Sequence, residues 1–422
     1  MISSLPLMRS RGRGQQQQQQ QQQHNPNYRD YSHGLVPATV FHCHHFQQQQ
    51  QQRYLTSSSS SSSSSTTTTT RRTTTTHLDK KDFDYCVDLV QQRDRESYLC
   101  GLLLPYEARR AYFAVRAWNV EVASIKDNVS VGRKVGGGAQ FADETNNLAL
   151  KVRMQWWKEA LSHIYDGSNS VNHNNNIIHD DDDVVVVSLR TNMAASYRKN
   201  PIVRVLEYNV HDKRLTRRFL ERLLEAREAD LDVKQPTTVQ DMIDYADDIF
   251  SSLLYLSLEM VNVRDEHADR IAQHAGIGIG LVTALRGARI RLARGECVIP
   301  QELLLRLSSS SSSYQFPHDK LYNLDENLCC VDLTPNERQL LQDAIEHIAG
   351  LAYVHLSQAQ QLQTELQLPK QARPCFLPVV PALHYLSKLE QAKYDIFDDT
   401  LLQQDHLTIL FLLTRTWWTG VF

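Results

Sequence analysis

The sequence predicts an all-α protein because apolar residues recur with helical spacing in three segments and β-strand patterns are nearly missing. In the first segment the spacings are four, three, four, three and four, the period of one helix face. Its members are Met242, Ala246, Ile249, Leu253, Leu256 and Met260. Only Val184 to Val187 have a strand-like composition, and they adjoin an acidic run and are compatible with the end of a helix.

Two further helices have the same signature. The longer contains Leu341, Ile345, Ile348, Ala352, Ala359 and Leu362. We expect Pro369 to close it, because proline has no N–H to donate within a helix. The shorter contains Leu215, Phe219, Leu223 and Ala226, and Asp230 continues its spacing.

Low-complexity runs divide the 422 residues into two regions. Residues 1–78 carry runs of Gln, Ser and Thr that cannot bury a core, and we predict a disordered segment with a mitochondrial targeting sequence. Residues 79–422 form the predicted helical domain, with low-complexity insertions near 132–147, 168–183 and 308–313.

The charge distribution supports this division. Residues 1–78 contain seven arginines, no lysine and one acid, Asp30, which leaves 38 basic and 47 acidic residues in the remainder. An Arg-rich, Ser-rich and acid-poor leader is typical of a mitochondrial presequence, and Met1 to Arg13 is the best candidate for the targeting element. The alternative is a disordered tail without a targeting signal.

No window reaches the roughly 18 continuous apolar residues that a membrane-spanning helix requires. The apolar stretch from Leu407 to Phe422, interrupted by Arg415, has two interpretations. It is either the last helix of the core or a segment that lies on a membrane surface.

Several patterns imitate metal sites. The seven cysteines lack paired Cys-x-x-Cys spacing, and His42 to His45 lie in Gln-rich sequence without a second ligand group. We interpret Asp247 and Asp248 as a solvated helix face, because they lie off the apolar stripe. We interpret Asp395 to Asp399 as a turn with capping aspartates, away from any cavity. The expectation is no metal and no cofactor.

One segment, Tyr112 to Ala123, resembles the first Asp-rich helix of the squalene/phytoene synthase family. That family follows an aromatic and Arg-containing run with Asp-Asp-x-x-Asp. Here the corresponding stretch begins at Asn119 and ends at Ala123, with Glu121 as its one acid. Glu121 is displaced from the face that Asn119 and Ala123 share, because successive helical residues rotate by about 100°.

A second segment, Leu285 to Pro300, aligns without a gap on the family's second Asp-rich motif. Gly287, Ile290 and Arg291 stand where that motif has acids. In the family these acids hold magnesium, a hard cation that requires oxygen ligands and supports departure of diphosphate. The resemblance therefore implies a degenerate enzyme without catalytic residues.

Other landmarks follow in the family's order, from about Asp84 to Phe397. They include Leu103-Leu104-Pro105, Met154-Gln155-Trp156-Trp157, Arg227 with Asp230, and Gly276-Ile277-Gly278-Ile279-Gly280. The resemblance implies an isoprenoid-synthase-like bundle of antiparallel helices around a central cavity.

Four arginines crowd the second motif, namely Arg286, Arg289, Arg291 and Arg294. One hypothesis is that they form an anion or lipid pocket, since guanidinium groups bind anions. The other is that they pair with internal acids such as Glu121 or Asp230 and close the cavity.

Within the family, Arg116 to Glu121 and Met154 to Lys158 resemble a divergent mitochondrial branch. Its members are non-enzymatic and assist assembly of respiratory complex I at the matrix side of the inner membrane, and the homopolymer runs resemble an insect version. The implied partners are complex I subunits or other assembly factors, with possible peripheral contact with the inner membrane and no nucleic acid. Two alternatives stay open: an active prenyltransferase and a lipid or isoprenoid carrier.

Overall fold

The computed structural model describes residues 80–127, 139–166, 196–309, 318–322, 324, 333–403 and 405–420. These residues belong to one unit, Leu35–Phe422. Among them the regular structure is helical and no β-strand occurs, so the all-α prediction is confirmed. None of the described helices is long and apolar enough to cross a bilayer.

The structure describes fourteen α-helices with defined bounds. They are α1 (Lys80–Arg93), α2 (Arg95–Leu103), α3 (Tyr106–Asp127), α4 (Ala139–Asp166), α5 (Pro201–Lys213), α6 (Arg217–Ala229), α7 (Val239–Ala246), α8 (Ser252–Met260), α9 (Glu266–Arg286), α10 (Ala288–Ala293), α11 (Gln301–Ser309), α12 (Pro335–Glu365), α13 (Val379–Gln391) and α14 (His406–Thr419). A π-helical turn, Asp247–Ser251, joins α7 to α8. Short 3₁₀ turns occupy Asp230–Asp232, His318–Tyr322, Arg373–Phe376 and Asp399–Leu402.

The three helices predicted from periodicity are confirmed. The stripe from Met242 to Met260 runs through α7, the π turn and α8, and all six of its members are buried. The second stripe is α12, which ends at Glu365, before Pro369. The third is α6, and Asp230 follows it as the first residue of a 3₁₀ turn.

Local sequence explains where the helices begin. Thr238 and Asp241 form a reciprocal capping box at the start of α7, and Thr334 and Glu337 form another at the start of α12. Each box satisfies backbone N–H groups that have no partner within the helix. Asn200 caps α5 through its side-chain oxygen.

Helix α9 is central, and its glycines let neighbouring helices approach closely. A Cβ added at Gly276 would lie 2.4 Å from the backbone nitrogen of Ser251 in the π turn, and one at Gly280 would lie 2.4 Å from Cβ of Ala246. On the other side, a Cβ at Gly278 would lie 2.5 Å from the Leu356 side chain of α12. The Gly-rich segment is therefore a packing surface for α7, the π turn and α12.

Helix α14 departs from its interpretation as a core helix. Only Ile409 and Leu413 are buried, whereas Leu407, Phe411 and Trp418 are 83%, 66% and 84% exposed. That interpretation is wrong for most of the helix, because apolar residues occur on all sides of it and only one narrow face contacts the bundle.

Several sequence predictions lie wholly or partly outside the described residues. They concern residues 1–78 with His42 to His45, the insertion near 168–183, Val184 to Val187, and parts of the insertions near 132–147 and 308–313. Where these segments are described they are helical: α4 already begins at Ala139 and α11 continues to Ser309.

Candidate functional site

A cavity of about 1770 Å³ lies within the bundle. Its wall combines apolar side chains, such as Leu253, Leu254 and Leu281, with charged groups from α3, α6, α9 and α10. This volume exceeds the typical range for pockets that hold drug-sized molecules.

The residues of the first motif divide between the cavity and the far side of α3. Asn119 and Ala123 line the cavity, as their spacing of four predicts. The Asn119 side-chain oxygen accepts a hydrogen bond of 3.0 Å from Nη2 of Arg227. Glu121 lies elsewhere, where burial raises its pKa and nearby Arg93 and Arg153 oppose that rise. Of the two acids named in the internal-pairing hypothesis, Glu121 therefore does not face the arginine cluster.

The second motif spans the break between α9 and α10. Gly287 connects the two helices, and Gly287, Ile290 and Arg291 all line the cavity. None of the three offers a carboxylate oxygen, and Arg291 brings a positive charge.

Each of the four clustered arginines faces a carboxylate. Arg286 contacts Glu96 at 2.6 Å, and Arg289 contacts Asp399 at 3.4 Å. Arg294 pairs with Asp127. All four arginines also line the cavity, so an entering anion would compete with a carboxylate of the chain.

The fourth arginine belongs to a network of four charges. Nη2 of Arg291 lies 3.4 Å from Asp230, and its Nε lies 3.8 Å from Glu296. Lys126 contacts the same two acids, at 3.1 Å and 3.4 Å. Lys126 also donates to the backbone oxygens of Asp230 and Val233, at 2.7 Å and 2.9 Å. We call Lys126, Asp230, Arg291 and Glu296 the charge quartet.

The hypothesis of internal pairing named Asp230, and its contact with Arg291 agrees with that hypothesis. Lys126 and Glu296 are the members of the charge quartet that sequence reasoning missed. Lys126 lies seven residues after Asn119, two helical turns further along the same face. That spacing was a signal in the sequence, but its partner Glu296 is 170 positions away along the chain and nothing local pairs them.

Two guanidinium groups at the cavity lack a carboxylate partner. Arg116 lines the cavity, is 7% exposed, and lies 5.2 Å from the ring centre of Tyr112. Arg227 binds Asn119, while its Nε is buried without a hydrogen-bond partner. Within the described part of the chain neither forms an ion pair. Against the effect of burial, Tyr112 and the charge of Asp94 raise the pKa of Arg116. Neither arginine has a carboxylate at ion-pair distance, however, so this wall can accept an anion.

The Asp pairs that imitate metal motifs have other partners. Asp247 lies 2.5 Å from Nη2 of Arg222, and Asp248 pairs with the same guanidinium. The side chain of Asp247 is only 15% exposed, so its interpretation as a solvated residue is wrong. Among the residues described, no group of three or more His, Cys, Asp or Glu side chains could hold a metal ion.

The turn from Asp395 to Asp399 contains the predicted capping interactions. Asp395 accepts from the backbone N–H of Phe397, and Asp398 accepts from that of Thr400. The expectation that this turn lies away from the cavity is wrong, because Asp399 contacts Arg289 of the cavity wall.

Magnesium does not fit the residues present at the two motif positions. The one oxygen donor facing the cavity there, the amide of Asn119, already accepts from Arg227. The nearby acids Asp230 and Glu296 are neutralised by Lys126 and Arg291. A dication would have to displace two resident cations and would find too few oxygens.

Comparisons with known proteins agree with the geometry. The sequence profile of the squalene/phytoene synthase family matches residues 90–409. The chain is 31% identical to mouse "NADH dehydrogenase (ubiquinone) complex I, assembly factor 6" over 79% of this chain and 81% of the mouse protein. The human protein of that name is also 31% identical over the same shares, and the Drosophila melanogaster homologue is 27% identical over 80% of this chain and 83% of its own.

Solved structures share the fold. A dehydrosqualene synthase in complex with ligand has a TM-score of 0.53 at 17% identity, covering 80% of this chain and 95% of that one. Squalene synthase HpnC from Alicyclobacillus acidocaldarius has a TM-score of 0.51 at 16% identity, covering 75% and 95%. At such identities the likeness concerns the fold alone, and it confirms the predicted isoprenoid-synthase-like bundle.

Proposed function

We propose that this chain, which belongs to the squalene/phytoene synthase family, is a non-catalytic mitochondrial factor for assembly of respiratory complex I. Relatives that carry the name complex I assembly factor 6 match it over about four fifths of both chains. The structural observation that supports the loss of catalysis is the charge quartet. Lys126 and Arg291 pair with Asp230 and Glu296 beside the second motif, whereas a metal-dependent enzyme requires free carboxylates.

An active prenyltransferase is the competing function, and the ligand chemistry disfavours it. Ionisation of an allylic diphosphate needs a Lewis acid to stabilise the leaving group. The residues at the motif positions supply one neutral amide oxygen, from Asn119, and one competing cation, Arg291. The others are Ala123, Gly287 and Ile290. We therefore propose that both Asp-rich motifs are degenerate and that the chain is a pseudoenzyme.

The proposed site of action is the matrix side of the mitochondrial inner membrane. The names of the relatives imply a mitochondrial protein. The Arg-rich, acid-poor composition of residues 1–78 supports import. The proposed partners are complex I subunits or other assembly factors, together with peripheral contact with the membrane.

The retained cavity supports a second candidate function, binding of an anionic lipid or isoprenoid. Its volume accommodates a long apolar tail, and Arg116 offers a buried guanidinium without a carboxylate partner. Arg286 and Arg291 are poorer candidates, because Glu96 and Asp230 already face them.

Mass spectrometry of lipid that co-purifies with the protein tests this second function. Carriage predicts that Arg116→Gln loses the lipid by at least roughly tenfold, since a charge-assisted contact contributes about 1.5–3 kcal/mol. The double variant Arg286→Ala, Arg291→Ala is the matched comparison and should mainly lower thermal stability. Absence of co-purified lipid from the unmodified protein would refute carriage and leave the assembly role untouched.

The assembly role is tested in cells that lack the protein. Native gel electrophoresis should show accumulated complex I intermediates, and re-expression of the full chain should restore the mature complex. Normal complex I in the deficient cells would contradict the proposal. Failure of the full chain to restore the mature complex would also contradict it.

A further inference from the structure

The outer face of α14 is an exposed apolar stripe. Leu407, Leu410, Phe411 and Trp418 follow helical spacing on the side away from the bundle, and Trp417 lies beside them. Leu407, Phe411 and Trp418 are each more than 60% exposed, and Trp417 and Leu410 are 48% and 41% exposed. A surface helix of a globular protein normally has polar residues on this side.

The inner face of α14 is fixed to the bundle. Ile409 and Leu413 are buried, and the helix packs against α2 and α13. At its carboxyl end, Gln363 donates a hydrogen bond of 2.8 Å to the backbone oxygen of Gly420. The apolar stripe is therefore presented in a fixed orientation.

The charges on α14 itself and at its carboxyl end suit an anionic surface. From His406 to Gly420 the chain contains no Asp, Glu or Lys, and its one formal charge is Arg415. A second guanidinium, Arg373, lies at the carboxyl end of the helix, where a Cβ at Gly420 would be 2.4 Å from its Nη1. Two cations thus accompany Trp417 and Trp418, residue types that favour the lipid headgroup level.

The position of α14 connects the stripe with the cavity. Asp405, His406 and Ile409, at the start of the helix, line the cavity wall. The helix has 14 residues and a length of about 21 Å, shorter than the roughly 30 Å of a bilayer's apolar core. It can lie along a membrane but cannot cross one.

We propose that α14 binds the surface of an anionic phospholipid bilayer, with Leu407, Phe411 and Trp418 in the boundary between headgroups and acyl chains. This inference rests on the proposed membrane-side location and identifies the surface that makes the contact. The start of α14 then brings the cavity wall next to the bilayer.

Vesicle flotation with the full chain tests the inference. The probes are phosphatidylcholine vesicles with and without phosphatidylglycerol. We expect binding to both, tighter with phosphatidylglycerol, and a loss of at least roughly tenfold in the double variant Phe411→Asp, Trp418→Asp. Arg415→Gln should lower binding only to the vesicles that contain phosphatidylglycerol.

The matched control is Val354→Asp on α12, whose side chain is 57% exposed. It should bind vesicles like the unmodified chain. Melting curves show whether the double variant folds, and we expect it to fold because both side chains face solvent.

Three results would overturn the inference: an unmodified chain that does not float, a folded double variant that floats normally, or a concentration-dependent dimer that the double variant abolishes while vesicles are ignored. The last result would assign the face to a second copy of the chain. None of these results would change the complex I phenotype of deficient cells, so failure of this inference and failure of the assembly role are distinguishable.

Discussion

Replacement of Lys126 by Met should destabilise the protein, because the side chain holds two acids and two backbone oxygens together. The substitution removes hydrogen bonds of 2.7 Å, 2.9 Å and 3.1 Å and the contact of 3.4 Å with Glu296. Arg291 alone would then face Asp230 and Glu296, at 3.4 Å and 3.8 Å.

The expected loss follows from burial. Removing one partner from a buried ion pair costs about 3–5 kcal/mol. The side chains in these contacts are only 15% exposed, for Lys126 as for Asp230 and Glu296. Because Arg291 remains as a cation after the substitution, we expect the free energy of unfolding to fall by about 2–3 kcal/mol. For a domain of this size that corresponds to a fall in Tm of about 3–5 °C.

Differential scanning calorimetry measures the change, and Lys151→Met is the matched control. Lys151 pairs with Asp232 at 2.9 Å, but the two side chains are 51% and 52% exposed. An exposed pair contributes about 1 kcal/mol or less, so the control should barely move the Tm. Equal effects of the two substitutions would refute the idea that the charge quartet fastens α3 to α10.

Three further changes test the packing, the titration behaviour and the domain boundary. Gly276→Ala should cost about 1–3 kcal/mol in chemical unfolding, because its Cβ meets the Ser251 backbone, whereas Gly350→Ala, with open space around it, should stabilise by about 0.5–1 kcal/mol. Burial lowers the pKa of both His274 and His355, so the unfolded state binds more protons near pH 6 and the Tm should fall as pH drops below about 6.5; the double variant His274→Gln, His355→Gln should flatten that slope. A chain beginning at Asp79 should melt cooperatively with unchanged helix content yet remain in the cytosol, and unfolding of this chain would show that the boundary is misplaced.

The helices were predictable because burial repeats with the period of the helix. We could identify the stripe from Met242 to Met260 and the stripe of α12 without knowing which helices pack against them. The same logic placed Asn119 and Ala123 on one face and Glu121 off it. These are local properties of the chain.

The partners of charged residues were not predictable, because they depend on distant parts of the chain. The sequence suggested that Asp247 is solvated, but α6 places Arg222 beside it. The sequence also suggested that Asp399 is far from the cavity, but Asp399 contacts Arg289.

The sequence left the arginine cluster open to two hypotheses, an anion pocket or pairing with acids of the chain, and each member faces such an acid. Of these acids, only Asp230 was named from the sequence. Arg116, which sequence reasoning used only as a landmark, is the buried cation that lacks a carboxylate at ion-pair distance.

The orientation of α14 was also undetermined by its sequence. Apolar residues surround the helix, so its composition was compatible with burial and with a membrane surface. Only the packing of Ile409 and Leu413 shows which face the bundle uses.

The central claim is that the two motifs no longer bind magnesium, because side-chain cations pair with the nearby acids. Incubating the purified full chain with farnesyl or geranylgeranyl diphosphate, with and without magnesium, and measuring released diphosphate tests it most directly. We predict no turnover above that of heat-denatured protein under either condition, because Lys126 and Arg291 occupy the acids and no carboxylate remains at the motif positions. Magnesium-dependent turnover that disappears on denaturation would contradict the claim.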